Sequence, residues 1–140
     1  MASNTTPIFT RVADIQWAVS AATANATADL TSGTSYLVYT ADATNGGYVQ
    51  KIRFRSLGTT TNATVGRVWI NNGSTTATQT NNTLWDEITL PATTVSQVAA
   101  LANYELPLNF ALPPGYRIYV TLGTATSPAG WDVIVIGGKY

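Results

Sequence analysis

The feature that most narrows what this chain can fold into is a rhythm of two. In "YVQKIRFRSL" (48–57), Ile52 and Phe54 point one way while Lys51, Arg53 and Arg55 point the other. Successive side chains of a strand project to opposite faces, so this alternation predicts a half-buried β-strand and does not suit a helix. Seven further stretches carry related patterns: "DIQWAVS", "TSYLVYT", "VGRVWIN", "TLWDEITL", "YELPLNFAL", "GYRIYVTL" and "WDVIVIG". Together they predict about eight strands.

The punctuation between them agrees. Asn45-Gly46-Gly47 and Asn71-Asn72-Gly73 accept the positive φ of tight turns, and Pro113-Pro114-Gly115 stops one strand and releases the next. Pro107 removes a backbone donor inside its strand, which predicts an edge or bulged position. Two segments resist the pattern, "AATANATADL" (21–30) and "TTVSQVAALANY" (93–104). The Ala and Leu content of the second predicts one helical turn around Val98 to Leu101. The expected fold is all-β: a single-domain β-sandwich over 15–136, jelly-roll or Greek-key like, with an N-terminal arm at 1–14 and a C-terminal tail at 137–140. Long connections at 71–83 and 91–104 favour that wiring over a meander, and an immunoglobulin-like sandwich is the competitor.

Composition then restricts the chemistry. Seven Lys+Arg and 7 Asp+Glu in 140 residues make 10% charged, against about 25% in an average soluble domain. With no net charge there is no electrostatic footprint for nucleic acid or an anionic membrane, and no apolar run approaches the ~20 residues of a membrane helix. Neither nucleic acid nor membrane is therefore expected as a partner. "MASNTTPIFT" lacks the basic and apolar regions of a secretory signal. A hydrophobic content of 45% supports a packed core, and near-neutral surfaces favour association. Association is the expected working state.

The absence of His and Cys excludes a Ser-His-Asp triad, thiol chemistry and an ordinary zinc site. A carboxylate pair distant in sequence, such as Glu105 with Asp132, stays open for glycoside cleavage, whereas Asp86 and Glu87 adjoin in one strand and face apart. "TADATNGG" (40–47) is the nearest approach to a calcium loop, with Asp42 and Asn45, but reads better as a hairpin turn. No catalytic residue, metal ligand or cofactor is expected. Trp17, Trp69, Trp85 and Trp131 all lie in strand patterns, which predicts core packing; a sugar platform would need one or two of them exposed.

Candidate interface residues follow from what is left. Lys51, Arg53 and Arg55 form a stripe that suits a solvated face, a weak nucleic-acid contact or, preferably, a seam with a neighbouring subunit. The segment "MASNTTPIF" is polar apart from Ile8 and Phe9 and is expected to lie on another chain, with Gly137-Gly138 letting Tyr140 dock similarly. No charge occurs between Ile70 and Leu84, so the loop 71–83 can cross a neighbour's surface without desolvating ions.

The phrases "GTTTNATVGRVWINNG", "NNTLWDEITLPATT", "LPPGYRIYVTLGT" and "GWDVIVIGGKY" resemble small virion structural proteins of tailed bacteriophages, from about residue 34 to the end. Within that group the likeness is greatest to capsid decoration (cement) proteins. The resemblance implies a β-sandwich or jelly-roll domain, made in the host cytoplasm and placed on the capsid exterior. Its implied partners are the major capsid protein and further copies of itself, commonly as a trimer. Tail-fibre, head-fibre and head–tail connector domains share the same Thr/Asn-rich vocabulary, and there the partner would be host glycan, met through exposed aromatics.

Overall fold

A computed structural model describes residues 9–126 and 129–140 and shows a single all-β domain. Its strands are β1 (Val12–Ala21), β2 (Tyr36–Thr40), β3 (Gly47–Ser56), β4 (Thr60–Thr61), β5 (Thr64–Asn71), β6 (Asn82–Leu90), β7 (Thr93–Thr94), β8 (Tyr104–Leu112), β9 (Arg117–Leu122) and β10 (Trp131–Lys139). One antiparallel sheet has the order β1-β10-β3-β8, a second β2-β9-β5-β6, and β4 pairs with β7 alone. The expected eight strands are corrected to ten, because two residues are too few to display a period. The other eight coincide with the eight alternating stretches.

Alternation decides which residues meet between the sheets. Val49, Ile52 and Phe54 of β3, with Trp131, Val133 and Val135 of β10, face Val68 of β5 and Ile118, Val120 and Leu122 of β9, all buried in one core. Gly66 belongs to this contact: a Cβ there would lie 3.1 Å from the Phe54 ring and 3.2 Å from Leu90. Pro107 sits on the edge strand β8, and the register slips between Val49 and Lys51 on β3. The extra residue lies on β8, where Asn109 has φ 52. Both expectations for Pro107 are met at once, with Asn tolerating the left-handed conformation of the bulge.

The open sides of the sandwich are closed by side chains. Where β1 passes β2, the Gln16 amide donates to the Thr40 carbonyl (2.9 Å) and accepts from the Thr40 N–H (2.9 Å), standing in for a strand's peptide. Where β6 passes β8, Trp85 meets Phe110 edge-on with centroids 4.7 Å apart. Trp85 is the additional residue of a β6 bulge opposite Val68 and Trp69.

Several local expectations change. The predicted helical turn at Val98 to Leu101 is absent: the Ser96 hydroxyl accepts the N–H groups of Val98 and Ala99 (both 3.2 Å), and Val98 is 97% exposed. A helix there would have no apolar face to bury. The turn after β2 is not a hairpin turn, because it carries the chain from the second sheet to the first. Asp42 organises it by accepting the N–H groups of Thr44 (3.0 Å) and Asn45 (2.8 Å). Strand pairing takes in residues 12–14 of the expected arm and 137–139 of the expected tail. A Cβ on Gly137 would fall on the Tyr48 carbonyl oxygen, so glycine there permits close approach of β3.

Segment 22–35 has no strand, yet it is ordered around one side chain. Asn25, 1% exposed, donates to the carbonyls of Asp29 (2.9 Å) and Ser32 (2.8 Å) and accepts from the Thr27 hydroxyl (2.7 Å).

Candidate interaction surfaces

The outer face of the first sheet brings most of the expected interface residues together. Register places Ile15, Ile136, Lys51 and Pro107 in one row across the strands, and Trp17, Ile134, Arg53 and Glu105 in the next. The β1–β10 half is apolar and open to solvent, with Ile15 53% and Trp17 62% exposed. A strand that buried these residues would require a neighbour on that side.

The charged half is already satisfied within the chain. Lys51 Nζ lies 2.9 Å from Glu105 Oε2, and Arg53 Nε lies 2.6 Å from Glu105 Oε1. Arg55 donates to the Leu101 carbonyl (3.3 Å) and to Asn103 Oδ1. Hydrogen bonds from Lys51 and then Arg53 hold the Glu105 carboxyl below its ordinary range. A general acid needs the opposite shift. Asp132 pairs in register with Arg55, on the far side of β3 from Glu105 and one row along. Two strand spacings, about 10 Å, separate those two acids across the sheet. The structure does not bring them side by side.

Phe9, 76% exposed, leads into β1, and the Arg11 N–H donates to the Lys139 carbonyl (2.7 Å), just ahead of the half-buried Tyr140. These two candidates therefore share one end of the sheet. Ile8 lies outside the described residues.

The second sheet presents a further apolar row on its outer face, Leu37, Tyr119, Trp69 and Leu84. Leu37 and Leu84 are 46% and 44% exposed. Trp69 is buried without belonging to the core, and its indole N–H donates to Thr121 Oγ1 (3.0 Å). Of the four tryptophans only Trp131 meets the core expectation in full. Trp17 and Trp85 are exposed, at 62% and 47%. Alternation alone could not separate inward from outward positions on β1, because Ile15 and Trp17 alternate as a buried face does. The signal that sorts them is on the partner strand, where Val133 and Val135 take the other parity.

The uncharged connection after β5 folds on itself. Asn82 Nδ2 donates to the carbonyls of Thr76 (2.8 Å) and Thr78 (3.2 Å), Asn81 Nδ2 to that of Thr75 (2.9 Å), and Asn71 Nδ2 to Asn82 Oδ1 (2.8 Å). A single 3-10 turn, Gln79–Asn81, leads into β6. Amides here replace the backbone partners that a longer hairpin ladder would provide. Between this loop and the turn before β9 lies an open recess of about 240 Å³. A second, of about 380 Å³, lies over the Lys51–Glu105 pair.

Asp29 and Asp42 are held below their ordinary ranges by hydrogen bonds from their own turns, Thr31 for the first and Asn45 with Thr44 for the second. Among the described residues, no group of three or more His, Cys, Asp or Glu could hold a metal ion, and no helix is long and apolar enough to cross a membrane. Compared with protein-family models, curated proteins and solved structures, the chain matches none.

Proposed function

We propose that this chain is a non-enzymatic virion structural protein of a tailed bacteriophage, which decorates and stabilises the capsid exterior by binding across adjacent capsid subunits as a trimer. The observation that carries the proposal is the β1–β10 face, where Ile15 and Trp17 are more than half exposed beside Ile134 and Ile136. Apolar surface of this kind is disfavoured on a free monomer and stabilising once a neighbour covers it. Closed symmetry multiplies such contacts, so many modest ones act as one strong attachment and stabilise the shell by mass action. Lys51, Arg53 and Arg55 then form the rim of the seam and not its glue, since their partners are internal.

The same reading takes the fold as a jelly roll. With the two-residue strands set aside, the remaining eight run in the order first, eighth, third, sixth in one sheet and second, seventh, fourth, fifth in the other. Two interleaved Greek keys wound from a single hairpin have that order, which supports the assignment.

A second reading, a head- or tail-fibre module that meets host glycan through exposed aromatics, is favoured by the exposure of Trp17 and Trp85. One set of measurements separates the two. Analytical ultracentrifugation of the full chain gives a trimer that Trp17→Ser converts to a folded monomer, whose melting temperature, unlike that of the wild type, does not depend on protein concentration. Cryo-microscopy of virions finds the protein in many copies over the capsid surface. A wild-type monomer at high protein concentration would remove the assembly reading, and a few copies at one vertex or on the tail would favour the fibre.

A further inference from the structure

The recess beside the 71–83 loop is lined by Ile70, Asn72, Thr80, Asn81, Thr83 and Tyr116, among others. We propose that it binds one ring of a neutral saccharide. Its chemistry selects that class by elimination and by fit. The loop contains no ionisable group between Ile70 and Leu84, so a bound ion would lose water without meeting a counter-charge. An apolar ligand would strand the amides and hydroxyls of the lining. A pyranose matches both demands, because it presents hydroxyls at its rim and C–H groups on its faces.

The donors are fixed before any ligand arrives. Asn72 Nδ2 donates to Asn81 Oδ1 (3.1 Å) and Asn81 Nδ2 to the Thr75 carbonyl (2.9 Å). Each amide thereby uses one N–H and keeps one for a ligand. Among the described residues, the hydroxyls of Thr80, Thr83 and Tyr116 have no hydrogen-bond partner within the chain. Ile70 and the Tyr116 ring pack against the core and provide an apolar floor. Gly73, at φ 88, lets the loop lie on the turn before β9: a Cβ would sit 2.6 Å from the Gly115 carbonyl oxygen. That contact holds Tyr116 against the loop. About 240 Å³ is less than the ~300 Å³ at which sites for drug-sized ligands begin, which suits one ring and not a chain.

This site is on the other sheet from the β1–β10 face and does not depend on assembly, so Trp17→Ser leaves it intact. The test is a nuclear magnetic resonance titration of the full chain with free neutral hexoses and N-acetylhexosamines, up to about 50 mM, enough to saturate a millimolar site. Sialic acid and glucose 6-phosphate serve as charged controls, and a glycan array supplies the polymeric source. At least one neutral sugar saturably shifts the amides of 70–83 and 115–117. The double variant Thr83→Val/Tyr116→Phe, which keeps shape and removes two hydroxyls, weakens that binding at least ~10-fold at unchanged melting temperature. A response on the array alone, lost in the double variant, assigns the site to a longer glycan's terminal ring and supports the proposal. No response in either format, tighter binding of the charged controls, or binding indifferent to the double variant overturns it.

Discussion

Replacing Asn25 by Ala tests whether one buried amide organises the strandless segment between β1 and β2. The side chain makes two good donor bonds, to the Asp29 carbonyl at 2.9 Å and the Ser32 carbonyl at 2.8 Å, and a longer contact to Thr34 at 3.4 Å. The bond from Thr27 is also lost, but Thr27 is exposed and water replaces its partner. At about 1 kcal/mol net for each donor bond, Asn25→Ala therefore costs about 2 kcal/mol, rising toward about 4 if both carbonyls stay dry. Ser32 is exposed, so water reaches its carbonyl and the lower figure holds. For a domain of this size that lowers the melting temperature by about 8 °C.

Asn25→Asp sharpens the test. It has the same shape and still accepts from Thr27, but it turns a donor into an oxygen aimed at carbonyls in a site only 1% exposed. The introduced carboxyl is driven above its ordinary pKa by burial and by those oxygens. A raised folded-state value means that the native state binds more protons than the unfolded state, so stability falls as pH rises. Asn25→Asp therefore melts closest to wild type near pH ~4 and furthest below it near pH ~8. Differential scanning calorimetry across that range reads the effect. Wild-type melting of both variants at every pH would show that the amide organises nothing.

Two further perturbations probe the sheets. Glu105→Gln removes the acceptor shared by Lys51 and Arg53. Since the Glu105 pKa is lowered on folding, its contribution is present at neutral pH and lost as pH falls through the folded-state value. Wild type thus melts slightly above the variant near pH ~7, and the two converge in acid; a gap that persisted below pH ~3 would contradict this. Gly66→Ala places a methyl 3.1 Å from Phe54 and 3.2 Å from Leu90, both in the packed interior, and 3.3 Å from the partly buried Ile88. Overpacking of that kind costs about 1–3 kcal/mol, and an unchanged melting temperature would show that the core yields there.

The two-residue rhythm made the large strands legible because each carries one face into a core, and packing enforces period two along its length. The same rule misplaced Trp17. Ile15 and Trp17 share a parity, but on β1 the inward positions are held by Gln16 and Ala18, and Gln16 is polar because it must satisfy Thr40 across the seam. A functional constraint on the edge thus inverted the apparent pattern. Segment 22–35 was unreadable for a different reason. Its order depends on Asn25 reaching carbonyls up to nine residues away, and an Asn among Ala and Thr gives no local sign of that. The 71–83 loop showed its lack of charge plainly and hid its internal amide pairing, which joins residues six to eleven apart with no local signature.

The charged residues explain why the recognisable surfaces are neutral. Asp14 accepts from Gln16, Asp29 and Asp42 from their own turns, Asp86 from the Glu87 N–H, and Glu87 and Glu105 from arginines. Acids so engaged are parts of the scaffold. A partner approaching the β1–β10 half of one face or the Leu37–Leu84 row of the other would then meet apolar side chains, and at the loop end amides and hydroxyls. Under the assembly proposed above, encounter on such surfaces would gain little from electrostatic steering and proceed at the ~10⁵–10⁶ M⁻¹s⁻¹ of neutral docking. Affinity would then reside in slow dissociation, which the proposed symmetric multivalent attachment would supply and a lone monomer would not.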